Sequence, residues 1–337
     1  MCYNSCRQSY GGNLSDLATE SPKINAAELP ADYAVQTFNL TRTFGKLTAV
    51  NGISFGIKKG ELFALLGPNG AGKTTTISLL CCLLKPTGGT AQILGHDIAK
   101  EPYEVKKLIG VSPQETTLSE HLNPLENLKL IARLHGLPEN KAHKWSNLLL
   151  EAMGLSEHAR KQVHHFSGGM KRRLSIAMSL IHDPQLLVLD EPTLGLDPQA
   201  RRAVWEYIGR LKGEKTILLT THYMEEADYL SDRVGIIDHG QIISLGSPAE
   251  LKTRLLDIHT IIVKGWNLTQ NVISSLQQHY SSVQLEGNTL SVSDHHLDFQ
   301  ELMERLGREG ASVRAAYFKE PTLEDVFLKI TGGELQS

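Results

Sequence analysis

The sequence predicts an α/β domain built on a parallel β-sheet, followed by a smaller α+β domain. An apolar run, ELFALLG at residues 61–67, leads through a glycine-rich segment into a helical pattern. Two further apolar runs, LLVLD at 186–190 and TILLTT at 216–221, are typical of strands buried on both faces of a sheet. The pattern changes beyond about residue 255, and a chain of 337 residues is long enough for two cores.

Composition excludes several classes of protein. Hydrophobic residues make up 41% and charged residues 21%, which is typical of a globular protein. The formal net charge of −3 provides no electrostatic case for nucleic-acid binding, so no nucleic-acid partner is expected. The four cysteines show no disulfide or zinc spacing, which indicates reduced thiols in a cytosolic protein. No apolar run approaches the roughly 18 residues that a bilayer span needs.

The order of patterns predicts three regions. Residues 1–34 are polar and aperiodic, so we expect a disordered tail. Residues 35–255 form the main domain, which opens with antiparallel strands in VQTFNLTRTF and AVNGISFGI and contains helices at about 115–165. The first of these helices is expected to begin with Asn123 as cap, Pro124 and then Glu126. Residues 256–337 alternate strand patterns with the helical pattern DFQELMERLGREG, which predicts a small α+β domain.

The glycine-rich segment GPNGAGKT, residues 67–74, fits the spacing G-x-x-x-x-G-K-[ST] between a strand and a helix. Glycines allow backbone N–H groups to point inward at phosphates, while Lys73 supplies a charge and Thr74 a hydroxyl for Mg²⁺. The alternative is a glycine-rich turn with a chance Gly-Lys-Thr. The flanking strand and helix favour the phosphate loop.

Acidic and imidazole side chains follow two of the other apolar strands. LLVLDEP places Asp190 where it can support a metal ion and Glu191 where it can orient water, and His222 follows TILLTT. Ligands collect at such strand ends in an open parallel sheet. The alternative for LLVLDEP is a strand that ends in a solvated Asp-Glu-Pro turn.

FSGGMKRRLSIA, residues 166–177, predicts a second helix start that faces an anion, with a serine, two glycines and a cationic first turn. The alternative is a helix that Ser167 caps and whose cations, Lys171, Arg172 and Arg173, are solvated. In GLDP, Asp197 precedes Pro198 and is likewise a good helix cap, so a purely structural interpretation is open for this residue too.

These motifs, with Gln114 after the strand KLIGVS, resemble in type and order the ATP-binding subunit of an ABC transporter over about residues 35–255. The resemblance implies a P-loop NTPase of the ABC-type ATPase class, with an antiparallel β subdomain and an inserted helical subdomain, and with ATP and Mg²⁺ as cofactors. It implies catalytic roles for Glu191, His222 and Gln114, and Mg²⁺ ligation by Thr74, Gln114 and Asp190. The residues expected on ATP are Phe44, Gly67, Pro68, Asn69, Gly70, Ala71, Gly72, Lys73, Thr74, Thr75, Ser167, Gly168, Gly169 and Asp197. For Phe44 the alternative is a core residue of its strand.

The resemblance also implies partners. In this family each ATP lies between the phosphate loop of one subunit and the Ser-Gly-Gly helix start of the other, so a homodimer or a related second ATPase chain is expected. Phe166 and Met170 depart from the usual Leu-Ser-Gly-Gly-Gln motif, which puts only the contacts of the missing amide in doubt. A separate membrane permease would hold the protein on the cytoplasmic face of the membrane.

The closing segment PTLEDVFLKITG resembles the tail of ATPases from drug and antibiotic resistance exporters, and so favours an exporter of drugs, lipids or polysaccharides. It is also expected to dock on its own domain through Leu323, Val326, Phe327 and Ile330. A non-transport ABC ATPase acting on nucleic acid or the ribosome, and a small-molecule P-loop kinase, are the alternative functions.

Overall fold

The computed structural model describes residues 32–253 and 259–331. Most of the predicted tail, residues 1–31, lies outside the described residues. The first strand begins at Tyr33, slightly before the predicted start at 35. The chain divides into two compact units, one through Leu245 and one from Gly246 on, so the second unit begins earlier than the predicted 256.

The first unit contains two sheets and a set of helices. Its strands are β1 (Tyr33–Phe44), β2 (Leu47–Ile53), β3 (Gly56–Lys58), β4 (Leu62–Leu66), β5 (Gly88–Ile93), β6 (His96–Asp97), β7 (Ile109–Ser112), β8 (Leu186–Asp190), β9 (Thr216–Thr221), β10 (Arg233–Asp238) and β11 (Gln241–Gly246). Its helices are α1 (Lys73–Leu80), α2 (Pro102–Leu108), α3 (Pro124–Leu134), α4 (Glu139–Ala152), α5 (Gly168–Leu180), α6 (Pro198–Leu211) and α7 (Met224–Leu230).

The larger sheet has the strand order β11-β10-β4-β9-β8-β7. Neighbouring strands from β10 to β7 are parallel. Every residue of β4, β8 and β9 is buried, as the continuous apolar runs predict. Leu66 pairs with Thr221 and Asp190 pairs with Thr220, so the carboxyl ends of β4, β8 and β9 lie side by side.

The smaller sheet has the order β2-β1-β5-β6, with β3 also paired to β1, and these pairs are antiparallel. The alternating apolar pattern from residue 35 predicts this arrangement. Its core joins that of the larger sheet, because Phe55 stacks on Phe63 of β4 with ring centroids 5.3 Å apart. The phosphate-loop strand β4 therefore packs against a second apolar layer.

Two helices, α3 and α4, lie in the region where the sequence predicts an inserted helical segment. The predicted start of α3 forms a capping box. The Glu126 N–H donates to Asn123 Oδ1 at 3.0 Å, and the Asn123 N–H donates to Glu126 Oε2 at 2.8 Å. Leu128 and Ala132, which share the predicted apolar face, are fully buried.

The second unit has its own sheet and core. Its elements are α8 (Pro248–Thr253), β12 (His259–Trp266), α9 (Gln270–Gln277), β13 (Ser282–Glu286), β14 (Thr289–Asp294), α10 (Phe299–Arg308), β15 (Ser312–Lys319) and α11 (Leu323–Thr331). The antiparallel order is β13-β14-β12-β15. Helix α9 was not predicted from the sequence, because its short QNVISSLQ pattern carries only three apolar residues, all of them buried. In α11, Leu323, Val326 and Phe327 are buried as predicted, but Ile330 is 40% exposed.

Two histidine rings stack on each other near the ends of helices α3 and α5 in the first unit. His135 follows α3 and His182 follows α5, and their rings stack with centroids 3.7 Å apart. His182 Nε2 lies 3.0 Å from the Ile109 carbonyl oxygen, so a neutral ring can donate a hydrogen bond there. Burial, and secondarily the neighbouring His135, lower the pKa of His182 to about 4.

We therefore expect His182 to make stability depend on pH. Between its ordinary pKa of about 6.5 and the folded value of about 4, the unfolded chain binds a proton that the folded chain does not, so the free energy of unfolding falls as pH falls through this window. His182→Gln should reduce the loss of Tm between pH 7.5 and 5 by about 2 to 4 °C in calorimetry. The exposed His143 provides the control: His143→Gln should keep the wild-type pH dependence. Identical pH profiles for His182→Gln and wild type would contradict this assignment.

Candidate functional site

The residues that the sequence singles out gather at the carboxyl edge of the parallel sheet. β4 leads into the glycine-rich loop, β8 ends at Asp190, and β9 ends just before His222. The loop is fastened to this edge because the Gly67 N–H donates to the Thr221 carbonyl at 3.3 Å. Strand order therefore unites side chains that lie far apart in the sequence.

Steric limits explain the glycines of the loop. Gly72 has φ of 104°, and a Cβ there would lie 2.4 Å from the Ala49 carbonyl oxygen. A Cβ on Gly67 would lie 2.2 Å from the Ile237 carbonyl oxygen. Helix α1 begins directly after Gly72, and none of the described side chains caps its first turn. Its unbonded N–H groups are suited to binding an anion.

The Lys73 side chain lies against the glycine-rich loop. Its Nζ donates to the carbonyls of Gly67 at 2.8 Å and Pro68 at 3.0 Å, and lies 3.4 Å from Glu191 Oε1. Burial lowers the pKa of Lys73, and the negative charge of Glu191 opposes that shift. The structure thus brings the loop lysine and the acid after β8 together.

The backbone at Glu191 is left-handed, with φ of 48°. Its N–H donates to both the carbonyl and the hydroxyl oxygen of Thr220, each at 3.1 Å. The carboxylate Oε2 lies 3.2 Å from His222 Nδ1, which is within ion-pair distance although the two groups are not aligned for a hydrogen bond. Glu191 is 6% exposed, so the alternative of a solvated turn after β8 is wrong.

Thr220 is a residue of the site that the sequence analysis missed. Its hydroxyl donates to Asp190 Oδ1 and accepts from the Glu191 N–H, so one side chain orients both acids. Thr220 is fully buried on β9, beside β8. A hydroxyl near the end of an otherwise apolar strand is the signal that could have identified it.

The oxygen donors near this edge suit Mg²⁺. Asp190 offers one buried carboxylate, and Thr74, an exposed residue in the first turn of α1, offers a hydroxyl. Magnesium commonly binds one or two carboxylates and keeps water or phosphate oxygens as its other ligands. Within the described residues, no cluster of three or more His, Cys, Asp or Glu could hold a metal ion. The Gln114 side chain is exposed, and its role as a Mg²⁺ ligand stays a prediction.

The second anion-facing helix start is α5. Ser167 is its cap, with Oγ accepting from the Met170 N–H at 3.3 Å, so the capping part of the alternative interpretation is right. The proposed solvation of Arg172 is wrong, because that side chain is 4% exposed. It shares a buried face of α5 with Ser175, Ile176 and Ser179, and this helical spacing is the only sequence signal for its burial.

Two further predicted residues occupy defined positions. Asp197 caps α6, its Oδ1 accepting from the Gln199 N–H at 3.0 Å and the Ala200 N–H at 2.9 Å. Phe44, at the end of β1, is 42% exposed, which excludes the alternative of a core residue. The Arg42 guanidinium lies 4.5 Å from its ring centroid.

Glu226 is another residue that the sequence analysis missed. Its buried Oε1 accepts from Thr193 Oγ1 at 2.8 Å and from Trp205 Nε1 at 2.9 Å. Burial raises the pKa of Glu226, and hydrogen bonds from Thr221, Thr193 and Trp205 oppose that shift. The carboxyl group connects the loop after Glu191 with helix α7, which follows His222.

Comparison with known proteins identifies the family. A model of the ABC transporter family matches residues 50–194. The linearmycin resistance ATP-binding protein LnrL of Bacillus subtilis is 39% identical over 309 residues, which cover 90% of this chain and 99% of that protein. The chain belongs to the ATP-binding proteins of ABC transporters. This ABC ATPase is also similar to the Nod factor export ATP-binding protein I of Rhizobium sp. strain N33, with 39% identity over 90% of this chain and 98% of that protein. The daunorubicin/doxorubicin resistance ATP-binding protein of Streptomyces peucetius is 36% identical over 89% and 92% of the two chains.

Solved structures agree with this assignment. An ATP-binding subunit of an ABC transporter matches with a TM-score of 0.61 and 30% identity, over 66% of this chain and 93% of that one. The ATP-binding cassette MJ0796, a dimer in a post-hydrolysis state bound to ADP and Pi, matches with a TM-score of 0.59 and 25% identity, over 63% and 98% of the chains. The predicted P-loop NTPase fold, and ATP hydrolysis as the activity, are confirmed. Across residues 32–253 and 259–331, no helix is both long and apolar enough to span a bilayer.

We expect Thr220→Val to slow ATP hydrolysis at least about tenfold while ATP affinity stays within about threefold, because the change loosens both acids without touching the phosphate loop. Steady-state ATPase assays and fluorescent-nucleotide titration measure the two quantities. Thr216→Val is the matched control on the same strand, since its buried hydroxyl accepts from the Gly60 N–H at 3.0 Å, away from the acids. Each variant should lose about 1 to 3 kcal/mol of stability. Equal ATPase losses in both variants would refute the specific role of Thr220.

Proposed function

We propose that this ABC ATPase hydrolyses ATP with Glu191 as the group that orients and deprotonates water, and that it powers export through a separate membrane permease. The supporting observation is the convergence of Lys73, Glu191 and His222, with 3.4 Å between Lys73 Nζ and Glu191 Oε1 and 3.2 Å between Glu191 Oε2 and His222 Nδ1. These groups border the loop whose N–H groups suit phosphate.

The phosphate loop and the aromatic ring of Phe44 bind the nucleotide. The backbone of the phosphate loop and the Lys73 ammonium bind the β- and γ-phosphates, and the exposed face of Phe44 stacks on adenine. The loop and first helical turn contribute Gly67, Pro68, Asn69, Gly70, Ala71, Gly72, Thr74 and Thr75. An exposed aromatic at the end of a strand supports the stacking role better than a packing role.

Thr74, Asp190 and Gln114 would hold Mg²⁺, which neutralises phosphate charge when bound. The Thr220 hydroxyl fixes the Asp190 carboxylate for this task. Glu191 accepts a proton from the attacking water, and His222 contacts the γ-phosphate. Because Glu191 and Lys73 are nearly excluded from solvent, their charges act in a medium where electrostatic interactions are strong.

Two chains complete each site. Ser167, Gly168 and Gly169 at the start of α5 bind the ATP held by the phosphate loop of a second copy or of a related ATPase chain, and Asp197 lies at the interface between the chains. The dimeric ABC cassette among the similar structures supports this arrangement. Hydrolysis then reopens the dimer, and the free-energy difference between its two arrangements drives motion in the permease.

Export as the direction of transport is supported by the relatives, whose names include linearmycin resistance, daunorubicin/doxorubicin resistance and Nod factor export. We propose drugs, lipids or polysaccharides as the substrate class and the cytoplasmic face of the membrane as the location. The permease selects the substrate, and the net charge of −3 argues against nucleic acid as a partner.

Glu191→Gln tests the catalytic proposal. We expect at least about a hundredfold loss of ATP turnover with retained ATP-dependent dimerisation, because the amide keeps the shape of the carboxylate but cannot accept the proton of water. ATPase assays and size-exclusion chromatography with light scattering provide the readouts. Glu225→Gln is the control, because Glu225 is exposed, and this variant should keep wild-type turnover. Near-normal hydrolysis by Glu191→Gln would remove Glu191 from the proposed role.

Membrane association tests the partner proposal. Fractionation of cells that express this chain alone should leave it in the supernatant, whereas co-expression with an integral membrane protein encoded beside its gene should move it to the membrane pellet. Glu191→Gln should still reach the pellet but should fail to increase resistance to the exported compound. Stimulation of the ATPase by nucleic acid, without association with any such permease, would favour the non-transport alternative.

A further inference from the structure

The buried guanidinium of Arg172 forms hydrogen bonds to the two loops that carry the proposed catalytic and metal-binding residues. Its Nε donates to the Pro192 carbonyl at 2.9 Å and its Nη2 donates to the Asp190 carbonyl at 2.6 Å. Its Nη1 donates to the Pro113 carbonyl and also lies 3.5 Å from the Gln114 carbonyl oxygen. All three nitrogens of one side chain are therefore engaged by backbone oxygens.

Two of these acceptors flank Glu191. Residues other than glycine rarely adopt the left-handed backbone found at Glu191, where φ is 48°, and such a conformation persists only where surrounding contacts enforce it. Arg172 holds the carbonyl before Glu191 and the carbonyl after it, while Thr220 holds its N–H. Arg172 thus helps to set the direction of the Glu191 carboxylate without contacting that carboxylate by a hydrogen bond.

Arg172 lies on the helix whose start is proposed to contact the ATP of the other subunit. Ser167 caps α5, and Arg172 follows within the second helical turn. A helix moves as a rigid unit over so short a distance, so a displacement of its start moves the guanidinium as well. The hydrogen bonds of the guanidinium would carry such a displacement to the loops at 113–114 and 190–192.

We infer that Arg172 is a positioning residue that couples the two nucleotide sites of the dimer, linking the helix start that contacts the partner's ATP to the Glu191 and Gln114 loops of its own chain. This inference rests on the proposed dimeric function and adds a residue to it.

The geometry requires an arginine. Its planar guanidinium presents five N–H donors in a fixed fork, whereas the ammonium of lysine presents its donors from one nitrogen and cannot span these acceptors. Burial lowers the pKa of Arg172 to about 10, opposed by the charges of Asp190, Glu226 and Glu191, so the side chain remains charged at neutral pH. Arg172→Lys therefore preserves the positive charge but removes the simultaneous hydrogen bonds to the separate carbonyl acceptors.

Arg172→Lys should lower kcat by about 10- to 100-fold and leave ATP affinity within about threefold, because the phosphate loop is untouched. Arg172→Gln, which keeps amide donors without the charge, should show the same division between kcat and affinity. The matched control is Arg173→Lys on the same helix, since Arg173 Nη1 donates to the Met153 carbonyl at 2.7 Å, outside the site. It should stay within about twofold of wild-type turnover. A loss of kcat in Arg173→Lys equal to that in Arg172→Lys would assign Arg172 a merely structural role.

Mixed dimers test the coupling itself. One chain carries Glu191→Gln and the other is wild type at that position, and purification through two different tags isolates the mixed species. Only one site of this mixed dimer can then hydrolyse ATP, namely the site formed by Glu191 of the second chain and the α5 start of the first chain. We expect Arg172→Lys to slow this site about threefold or more in either chain. An unchanged rate when only the first chain carries Arg172→Lys would overturn the coupling.

A failure of the proposed catalytic function can be distinguished from a failure of the proposed coupling. A dimer with Glu191→Gln in both chains should hydrolyse ATP at background rate. Near-normal turnover by that dimer would reject the catalytic role of Glu191 itself, whereas background turnover combined with a one-sided effect of Arg172→Lys would reject the coupling alone.

Discussion

The left-handed turn at Glu191, with φ of 48°, is the constraint on which the candidate site depends. It turns the chain sharply at the end of β8, so that Asp190 stays in the sheet while the Glu191 carboxylate lies between Lys73 and His222. Such a backbone is costly for a side chain other than glycine, by roughly 1 to 3 kcal/mol, and must be held by its surroundings. Thr220 and Arg172 provide the bonds that hold it, and both approach from elements distant in sequence.

Buried charge is the second feature that organises this edge of the sheet. Lys73, Arg172, Asp190, Glu191 and Glu226 are all nearly excluded from solvent, and an isolated charge in such a place would be strongly destabilising. Here the Lys73 ammonium lies 3.4 Å from the Glu191 carboxylate, and the Arg172 guanidinium donates to backbone carbonyls. The Glu226 carboxylate accepts hydrogen bonds from the Thr193 hydroxyl and the Trp205 N–H. Removing one member leaves the others uncompensated, which is why the conservative substitutions Arg172→Lys and Glu191→Gln are more informative than truncation to alanine.

In the proposed dimer both nucleotide sites lie between the two chains, and α5 is placed to connect them. Its start carries the Ser-Gly-Gly segment, and its buried face carries Arg172 against the loops of its own site. In the same chain, Asp197 caps α6 while its loop is also tied to Glu226 through Thr193. Local helix capping and the proposed communication between sites are therefore compatible uses of the same residues.

The sequence by itself determined the contiguous features: the phosphate loop, the buried strands β4, β8 and β9, the capping box of α3 and the separate α+β unit. Each depends on spacing within a short segment, where backbone geometry links neighbouring residues directly. Only the tertiary structure decided that Arg172 is buried, that Thr220 orients both acids, that Glu226 joins two loops and that Phe44 is exposed. These outcomes arise from contacts between residues far apart in the chain, such as Arg172 with Pro113, and strand order and packing alone bring such residues together.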